Sequence, residues 1–511
     1  KRLEMQRRTG ISRKFLQNNK YKQMKRVFSL IVTLVVVTNL SWAQDKEFSG
    51  KLFQKYSEFK EKQITERRLR HENIMPLLEK LESKNNIQIQ KVGESIEGRS
   101  LNLLSLGEGD TDVFLWSQMH GDESTATMAI FDILNFFNSS EFEDEKEMML
   151  GNIKIHFLPM LNPDGAEKFT RRNALGVDVN RDALRLQSPE AKTLKRIRDS
   201  LDADFGFNLH DQSKYYNAER TEKPATISFL APAYNYEKDV NEVRGNAMKV
   251  IVQMNKVLQK FAPGQVGRYN DDFEPRAFGD NIQKWGTSTI LVESGGYPED
   301  PEKQEIRKLN FVSILSALNA IATGTYKDES ISNYETIPNN DRMLFDLKLT
   351  GLTYELEGKS YVLDLGINRS ENDLKDNSEF YYSGRVVDQG DLSTSYGYHQ
   401  INASDLKLEM GKIYPEEISS KEDLDKLDAI NLLKEGYAYL KVDSLMLEKN
   451  YSHYPLNLVA EDFEINDELK PGAEANFFLK KDGVVEYAII NGFLCNLIDP
   501  KNDIKNTLIY K

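Results

Sequence analysis

The chain has 511 residues, 40% of them apolar, so it is long enough for two domains with ordinary soluble cores. Its formal net charge is −13, and because residues 1–43 carry ten Lys or Arg against one Glu, the remainder stands near −22. This acidity argues against nucleic acid and anionic membranes as partners. The single cysteine, Cys495, cannot form an internal disulfide.

The N-terminal region has the pattern of an export signal. Lys25 and Arg26 precede an apolar run over residues 27–37, which is followed by small residues that flank a tryptophan. We interpret residues 24–43 as a signal peptide and residues 1–23 as upstream, non-mature sequence. A transmembrane anchor is the alternative, but the run is shorter than the ~20 residues that span a bilayer. An exported protein without disulfides is typical of a bacterial periplasm or cell surface.

Between residues 44 and 325, short apolar runs alternate with longer periodic stretches. The strand-like runs lie at 87–92, 101–106, 113–118 and 153–158. The helical candidates are a charged segment at 53–84 and stretches at 124–137, 189–201, 238–261 and 301–322. Strands that alternate with helices predict an α/β sandwich, in which ligands bind at the carboxyl ends of the strands.

The first chemical motif is His120-Gly121-Asp122-Glu123, which follows an apolar run at 113–116. His and Glu at this spacing are zinc-ligand types, and two histidines with one glutamate leave an open position for hydrolytic chemistry. His210 is the second candidate histidine, because the strand-like run at 205–209 delivers it to a strand end. Polar residues of a core or surface are the alternative reading of each histidine alone.

Further motifs follow in a fixed order along the chain. They are Gly93-Glu94-Ser95-Ile96-Glu97-Gly98-Arg99, Asn162-Pro163-Asp164-Gly165, Arg171-Arg172-Asn173, the segment at 176–182 that contains Asn180-Arg181, and the run 289–292 that leads into Glu293. In this order they resemble the zinc carboxypeptidase superfamily, the M14 metallopeptidases of the funnelin type, over roughly residues 90–320.

The resemblance implies an α/β/α sandwich with a mixed central sheet. It also implies one Zn²⁺, a peptide substrate, and cleavage of a C-terminal amide bond by zinc-hydroxide attack. The metal ligands implied are His120, Glu123 and His210. Glu293 then acts as the general base that passes a proton from the attacking water to the leaving amine. A glutamate in a buried ion pair is the alternative for Glu293.

Arginines carry the remaining roles that the resemblance implies. Arg171 stabilises the oxyanion of the tetrahedral intermediate, although Arg172 is adjacent and the register between them stays open. Asn180 and Arg181 bind the terminal carboxylate of the substrate, and Arg99 is a further substrate-side arginine. A surface salt bridge is the alternative for each arginine.

The sequence departs from the family pattern where a mobile tyrosine should cap the substrate. Tyr269 lies nearby in the chain, but its neighbours are not those the pattern requires. Asp211, which follows His210, is open to two interpretations: it orients a metal ligand, or it is a solvated loop carboxylate.

The last third of the chain has a different pattern. A polar segment predicts a linker at 326–341 between a catalytic domain at 44–325 and a smaller, mainly-β domain at 342–511. Within the latter, a helix is expected at 420–435, and Lys481-Asp482-Gly483 has the composition of a hairpin turn. No motif there indicates chemistry.

Two other functions fit the same residues. One is an amidase of the same fold that trims a non-standard peptide such as a peptidoglycan stem. The other is a catalytically silent protein that binds a peptide or glycan. The leading hypothesis is the exported zinc carboxypeptidase, and the sequence does not indicate an oligomeric state.

Overall fold

The computed structural model describes residues 47–82, 86–374, 377–466, 468–499 and 504–511. Residues 1–46 lie outside this part, so the predicted signal peptide at 24–43 and the upstream segment at 1–23 are not described. Within the described ranges, no helix has both the length and the apolar character needed to cross a membrane.

The N-terminal two-thirds of the chain is built on a mixed sheet of eight strands. The strands of this part are β1 (Gln88–Glu94), β2 (Ser100–Leu106), β3 (Thr111–Ser117), β4 (Ile153–Leu158), β5 (Phe205–Asp211), the short β6 (Asn217–Ala218), β7 (Ile227–Leu230), β8 (Val266–Arg268) and β9 (Ser288–Ser294). The order in the sheet is β1-β2-β4-β3-β5-β9-β7-β8. Strands β4, β3, β5 and β9 are parallel neighbours, whereas β2 and β7 pair antiparallel with β4 and β9.

Helices cover both faces of this sheet, so the predicted α/β/α sandwich with a mixed central sheet is confirmed. The helices are α1 (47–59), α2 (His71–Glu82), α3 (Thr125–Phe137), α4 (Glu143–Asn152), α5 (Pro163–Glu167), α6 (Pro189–Leu201), α7 (Glu242–Phe261), α8 (Phe278–Lys284) and α9 (Gln304–Thr323). Apolar residues of α3, α7 and α9 share one core with the sheet. Those of α6 and α8 share the core on the opposite face.

The prediction of one helical segment at 53–84 is wrong, because α1 ends at residue 59 and α2 begins at His71. The intervening chain bonds to distant partners instead of to itself. The fully buried Arg307 donates to the carbonyls of Glu61 and Ile64, at 3.1 and 2.7 Å. The backbone N–H of Glu61 donates to Asp132, which is ion-paired with Arg307. Backbone groups committed to these buried partners cannot continue a helix.

The predicted linker at 326–341 is folded against the N-terminal α/β region. It contains α10 (Ile331–Tyr334) and β10 (Asn340–Asp341), and β10 pairs with β6. Tyr334 is buried, and its hydroxyl accepts a hydrogen bond from the backbone of Ala231 at 3.1 Å.

The C-terminal region is mainly β, as predicted. Its strands are β11 (Leu344–Leu356), β12 (Lys359–Asp373), β13 (Phe380–Gly390), β14 (Tyr396–Asn402), β15 (Lys407–Met410), β16 (Lys412–Ile418), β17 (Tyr437–Val442), β18 (Tyr451–Ser452), β19 (Asn457–Val459), β20 (Phe477–Lys481), β21 (Val484–Ile490), β22 (Phe493–Asn496) and β23 (Thr507–Tyr510). They form an eight-stranded sheet, β13-β12-β11-β15-β20-β21-β22 with β14 beside β11, and a five-stranded sheet, β16-β17-β19-β23-β18.

Two local predictions in this region have different outcomes. The hairpin turn is confirmed, since Lys481 pairs with Val484 and both Asp482 and Gly483 have positive φ, as a tight two-residue turn requires. The single helix at 420–435 is wrong. The chain instead forms α11 (Lys421–Leu424) and α12 (Ala429–Lys434), because the side chain of Asp428 caps a new helix start.

Candidate active site

The His120–Glu123 turn lies at the carboxyl edge of the central sheet, directly after β3. The chain leaves the strand through Gln118, which has a φ of 51°, and the turn closes with a hydrogen bond from the Glu123 N–H to the His120 carbonyl. Gly121 is required by close packing. A Cβ on it would lie 2.0 Å from the carbonyl carbon of Gly165, so the turn packs directly against the Asn162–Gly165 turn.

His120, Glu123 and His210 converge on one point. A ligand atom from each lies within 4.8 Å of the other two. Glu123 contacts Nδ1 of His120 at 2.8 Å and Nδ1 of His210 at 2.6 Å, through its two carboxylate oxygens. All three residues are buried. Two imidazoles and a carboxylate are the donor set of a catalytic zinc site, so these residues fit the ion that the motifs imply.

The charged neighbours in this cluster shift the pKa values of His120 and Glu123 in the direction opposite to burial. Burial alone would lower the pKa of His120, but the charge of Glu123 and a hydrogen bond with Asp178 raise it to about 9. Burial would raise the pKa of Glu123, yet its contacts with the two histidines hold it well below its ordinary value. The carboxylate is therefore anionic and faces positive charge, which is the environment that a bound cation would also provide.

Asp178 holds His120 from the other side of the ring, a contact that the sequence reasoning missed. Its Oδ1 lies 3.1 Å from Nε2 of His120, and its Oδ2 accepts from Nε of Arg171 at 3.0 Å. A carboxylate on the second ring nitrogen fixes the orientation of a ligating histidine. The sequence offered one signal for Asp178, because it lies two residues before Asn180 in the 176–182 motif.

The side chain of Asp211 is only 9% exposed and is ion-paired with Lys303, which argues against a solvated loop carboxylate. Its Oδ2 accepts from the hydroxyl of Thr125 at 2.6 Å and from Nζ of Lys303 at 2.9 Å. Its backbone N–H donates to Glu123 at 3.2 Å. The strand end that carries His210 is thus bonded to the glutamate of the same cluster.

Glu293 lies beside His210 on the neighbouring strand. The parallel register of β5 and β9 pairs these two residues directly. Burial, followed by the negative charge of Glu123, raises the pKa of Glu293 well above its ordinary value. The cluster therefore contains two carboxyl groups with opposite shifts, one held as an anion and one inclined to keep a proton. Such a difference suits a division between metal ligand and proton carrier.

The structure separates the two adjacent arginines. Arg171 points at the cluster, with Nη1 3.1 Å from Nδ1 of His120 and 3.3 Å from Glu123. Its side chain is 42% exposed, so the guanidinium is also accessible to solvent. Arg172 instead donates to the carbonyl of Gly176 at 2.9 Å, in an exposed contact.

Asn180 lies at Nε2 of His210, whereas Glu123 contacts Nδ1 of the same ring, and Arg181 follows Asn180 in the chain. The Nδ2 of Asn180 is 3.5 Å from Nε2 of His210, and its Oδ1 accepts from the backbone of Phe278. Arg181 donates to the Asn180 carbonyl, and its Nε lies 3.5 Å from Glu274. The Arg181 side chain is 36% exposed, so it remains accessible to solvent.

Arg99 and Tyr269 lie in different surroundings. Arg99 donates to Asp164 at 2.7 Å and to Glu97 at 2.6 Å, contacts that hold its own loop against the Asn162–Gly165 turn. Its substrate role stays a prediction. The ring of Tyr269 contacts Tyr216 edge-on with centroids 6.2 Å apart, and burial, together with the charge of Glu293, raises its pKa.

Comparison with known proteins finds zinc carboxypeptidases for part of the chain. The model of the zinc carboxypeptidase family matches residues 74–184. Carboxypeptidase SOL1 of Arabidopsis thaliana is 27% identical over 179 residues, covering 29% of this chain and 36% of the relative. Carboxypeptidase B of Astacus astacus is 35% identical over 82 residues, covering 15% and 26%. Residues 74–184 are therefore similar to the zinc carboxypeptidase family, and the matched relatives are carboxypeptidases.

The matches cover well under two-thirds of these relatives' lengths. Among solved structures, a metallo-carboxypeptidase from Burkholderia cenocepacia is similar with a TM-score of 0.42 at 17% identity, covering 50% of this chain and 69% of that one.

Proposed function

We propose that the protein is a zinc-dependent carboxypeptidase that hydrolyses the C-terminal peptide bond of a peptide substrate. The observation that carries this proposal is the convergence of His120, Glu123 and His210, with Glu293 directly beside them in the sheet. A zinc ion bound there supplies a Lewis acid, which acidifies water and polarises a carbonyl.

Glu293 is the proton carrier of the proposed reaction. Its raised pKa supports this role, because a carboxylate with a raised pKa is a stronger base toward the attacking water, and its carboxyl form can then protonate the leaving amine. Burial beside the metal ligands keeps bulk water from competing for that proton.

Arg171 is the proposed oxyanion donor. A guanidinium keeps its charge at any physiological pH and offers several N–H donors, which suits an oxygen that becomes negative in the transition state. The contact of Arg171 with His120, together with the solvent exposure of its side chain, supports this assignment.

Arg171→Met should reduce kcat by roughly 10²–10³-fold, the usual cost of losing one oxyanion donor. The matched control is Arg172→Met, which removes the adjacent arginine and should leave kcat within about twofold. Steady-state kinetics on both variants make the comparison. Equal losses in the two, or a loss only in Arg172→Met, would reject Arg171 as the donor.

Asn180 and Arg181 are the proposed ligands of the terminal carboxylate. Amidation of the substrate's C-terminus should therefore reduce kcat/KM steeply, since each charge-assisted hydrogen bond contributes about 1.5–3 kcal/mol. The same amidation should matter much less in Arg181→Met, because the partner is already absent. The measurement is kcat/KM for the free and the amidated peptide with both proteins.

Arg276→Met is the matched control, because Arg276 pairs with the same Glu274 as Arg181. It should retain the full preference for the free C-terminus. Equal kcat/KM for free and amidated peptides in the unmodified enzyme would contradict the carboxypeptidase assignment and favour the amidase alternative, which cleaves away from a terminal carboxylate.

We also propose that the mature protein is exported to a periplasm or cell surface. The basic and apolar pattern at 24–43 supports this proposal. N-terminal sequencing of the protein from its native cells should find its first residue near position 44.

A further inference from the structure

The loop that follows the metal ligand His210 is held by the C-terminal region. This segment, residues 212–216, connects β5 to β6. Its first residue, Gln212, donates its backbone N–H to Ser294, which follows Glu293. The side chain of Gln212 accepts a hydrogen bond from Asn340 of β10 at 2.6 Å. The loop is therefore bonded at one end to the strand that carries the proposed base, and to β10.

Asp346 of β11 is the centre of the contact. Its carboxylate accepts from Nζ of Lys214 at 2.7 Å, from the hydroxyl of Tyr215 at 2.8 Å, and from the backbone N–H of Arg369 at 2.8 Å. The side chain is only 4% exposed. A buried carboxylate with both oxygens occupied fixes its partners in one geometry, since each lost contact would leave an unsatisfied buried charge.

Tyr398 of β14 extends the contact to the chain that follows Glu293. Its hydroxyl donates to the carbonyl of Lys214 at 2.5 Å. It also packs on Gly296, where a Cβ would lie 2.1 Å from the hydroxyl oxygen. One C-terminal side chain thus touches both segments that leave the carboxyl ends of β5 and β9.

A second contact lies on the other flank of the metal cluster. Arg67 and Arg68 precede α2, and they pair with Glu371 and Asp373 of β12. The Arg67 carbonyl accepts a hydrogen bond from the hydroxyl of Ser124, the residue after Glu123. The C-terminal region therefore also contacts the segment behind the metal-binding glutamate.

Strand β12 connects the two contacts. The hydroxyl of Tyr215 lies 3.3 Å from the carbonyl of Arg369, and Asp373 lies four residues, or about 13 Å, further along the strand. Glu371 and Asp373 are two residues apart, so they project from the same face of β12. One strand thus runs beside the cluster from the His210 flank to the Glu123 flank.

We propose that β11, β12 and β14 form a wall of the active-site cleft, and that Asp346 is a positioning residue that fixes the 212–216 loop for catalysis. The loop carries Tyr216, whose ring contacts Tyr269, and burial followed by the charge of Glu293 raises the pKa of Tyr269. Asp346 acts through this loop and not on the substrate. The activity part of this proposal rests on the proposed function, whereas the structural part does not.

The test uses the full-length protein with Asp346→Asn, and with Tyr398→Phe in case the first variant does not fold. Hydrogen exchange at residues 212–216 should become at least tenfold faster in each, because the loop loses its bonds to the C-terminal sheet. Glu329→Gln is the matched control. Glu329 is also a buried carboxylate paired with a lysine, but its partner Lys256 lies on α7. It should leave exchange of the loop unchanged.

In turnover, Asp346→Asn should lower kcat by about tenfold or more, with KM within about threefold and zinc content near that of the unmodified protein. The double variant with Lys214→Met should be no slower than the more severe single variant, since both remove the same contact. Unchanged loop exchange in both Asp346→Asn and Tyr398→Phe would overturn the proposal. So would faster exchange accompanied by full kcat. If the unmodified protein is inactive, the proposed function is rejected. The exchange result then still tests whether the C-terminal strands hold the 212–216 loop.

Discussion

Glu293→Gln should leave zinc in place while kcat falls by ~10²-fold or more, the lower end of the contribution of a general base. The amide has nearly the shape of the carboxyl group, but it cannot accept a proton from water. The metal should stay because Glu293 is the neighbour of a ligand in the sheet and is not one of the three converging residues. Steady-state kinetics and metal analysis of the same preparation measure both effects.

The matched control for this variant is Glu190→Gln. Glu190 is also buried, and burial raises its pKa as well, but its carboxylate contacts Asn173 and not the metal cluster. It should keep kcat within about twofold. If Glu293→Gln retains most of the activity, or if it loses zinc in parallel with activity, Glu293 is not the base.

His120→Ala should abolish stoichiometric zinc binding. Protein purified without added zinc should contain close to one equivalent, and the variant less than about a tenth. A four-ligand zinc site contributes about 10–16 kcal/mol, or roughly 3 kcal/mol for each ligand, so the loss of one should weaken binding about 10²-fold. Elemental analysis after gel filtration measures the content directly.

His156→Gln is the control for a buried histidine outside the site, since its ring contacts Ser105 and Asp112. It should retain about one equivalent of zinc even if the protein becomes less stable. Equal zinc content in His120→Ala and in the unmodified protein would reject this metal site.

The sequence identified the candidate metal ligands because strand ends can be recognised locally. An apolar run before His120 and another before His210 are visible in the chain itself, and the carboxyl ends of parallel strands meet at one edge. The direct pairing of His210 with Glu293 could not be predicted in this way, because it depends on the register between two strands that are distant in the chain.

Contacts between distant residues account for most of what the sequence analysis missed. Asp178 acquires its position only when the loop before Asn180 folds over His120. The break between α1 and α2 depends on Arg307, more than 240 residues further along the chain, which binds carbonyls that a local pattern assigns to a helix. The same holds for Asp346, two of whose partners, Lys214 and Tyr215, lie in the loop after β5.

The predicted linker at 326–341 shows a limit of composition. Polar and helix-breaking residues indicate an irregular chain, but irregular chain also forms specific hydrogen bonds. Asn340 is part of that polar segment, and its amide nitrogen donates to Gln212, two residues from His210, a proposed metal ligand. Composition therefore indicates a change of pattern there, without indicating whether the segment is free or packed.

The most direct test of the central claim is release of the C-terminal amino acid from a free peptide library by purified mature protein, before and after chelation. The account predicts release of single C-terminal residues, loss of that activity in chelator, and recovery when one equivalent of zinc is returned. Release that continues unchanged in metal-free protein, or no release by protein that holds one equivalent of zinc, would contradict it.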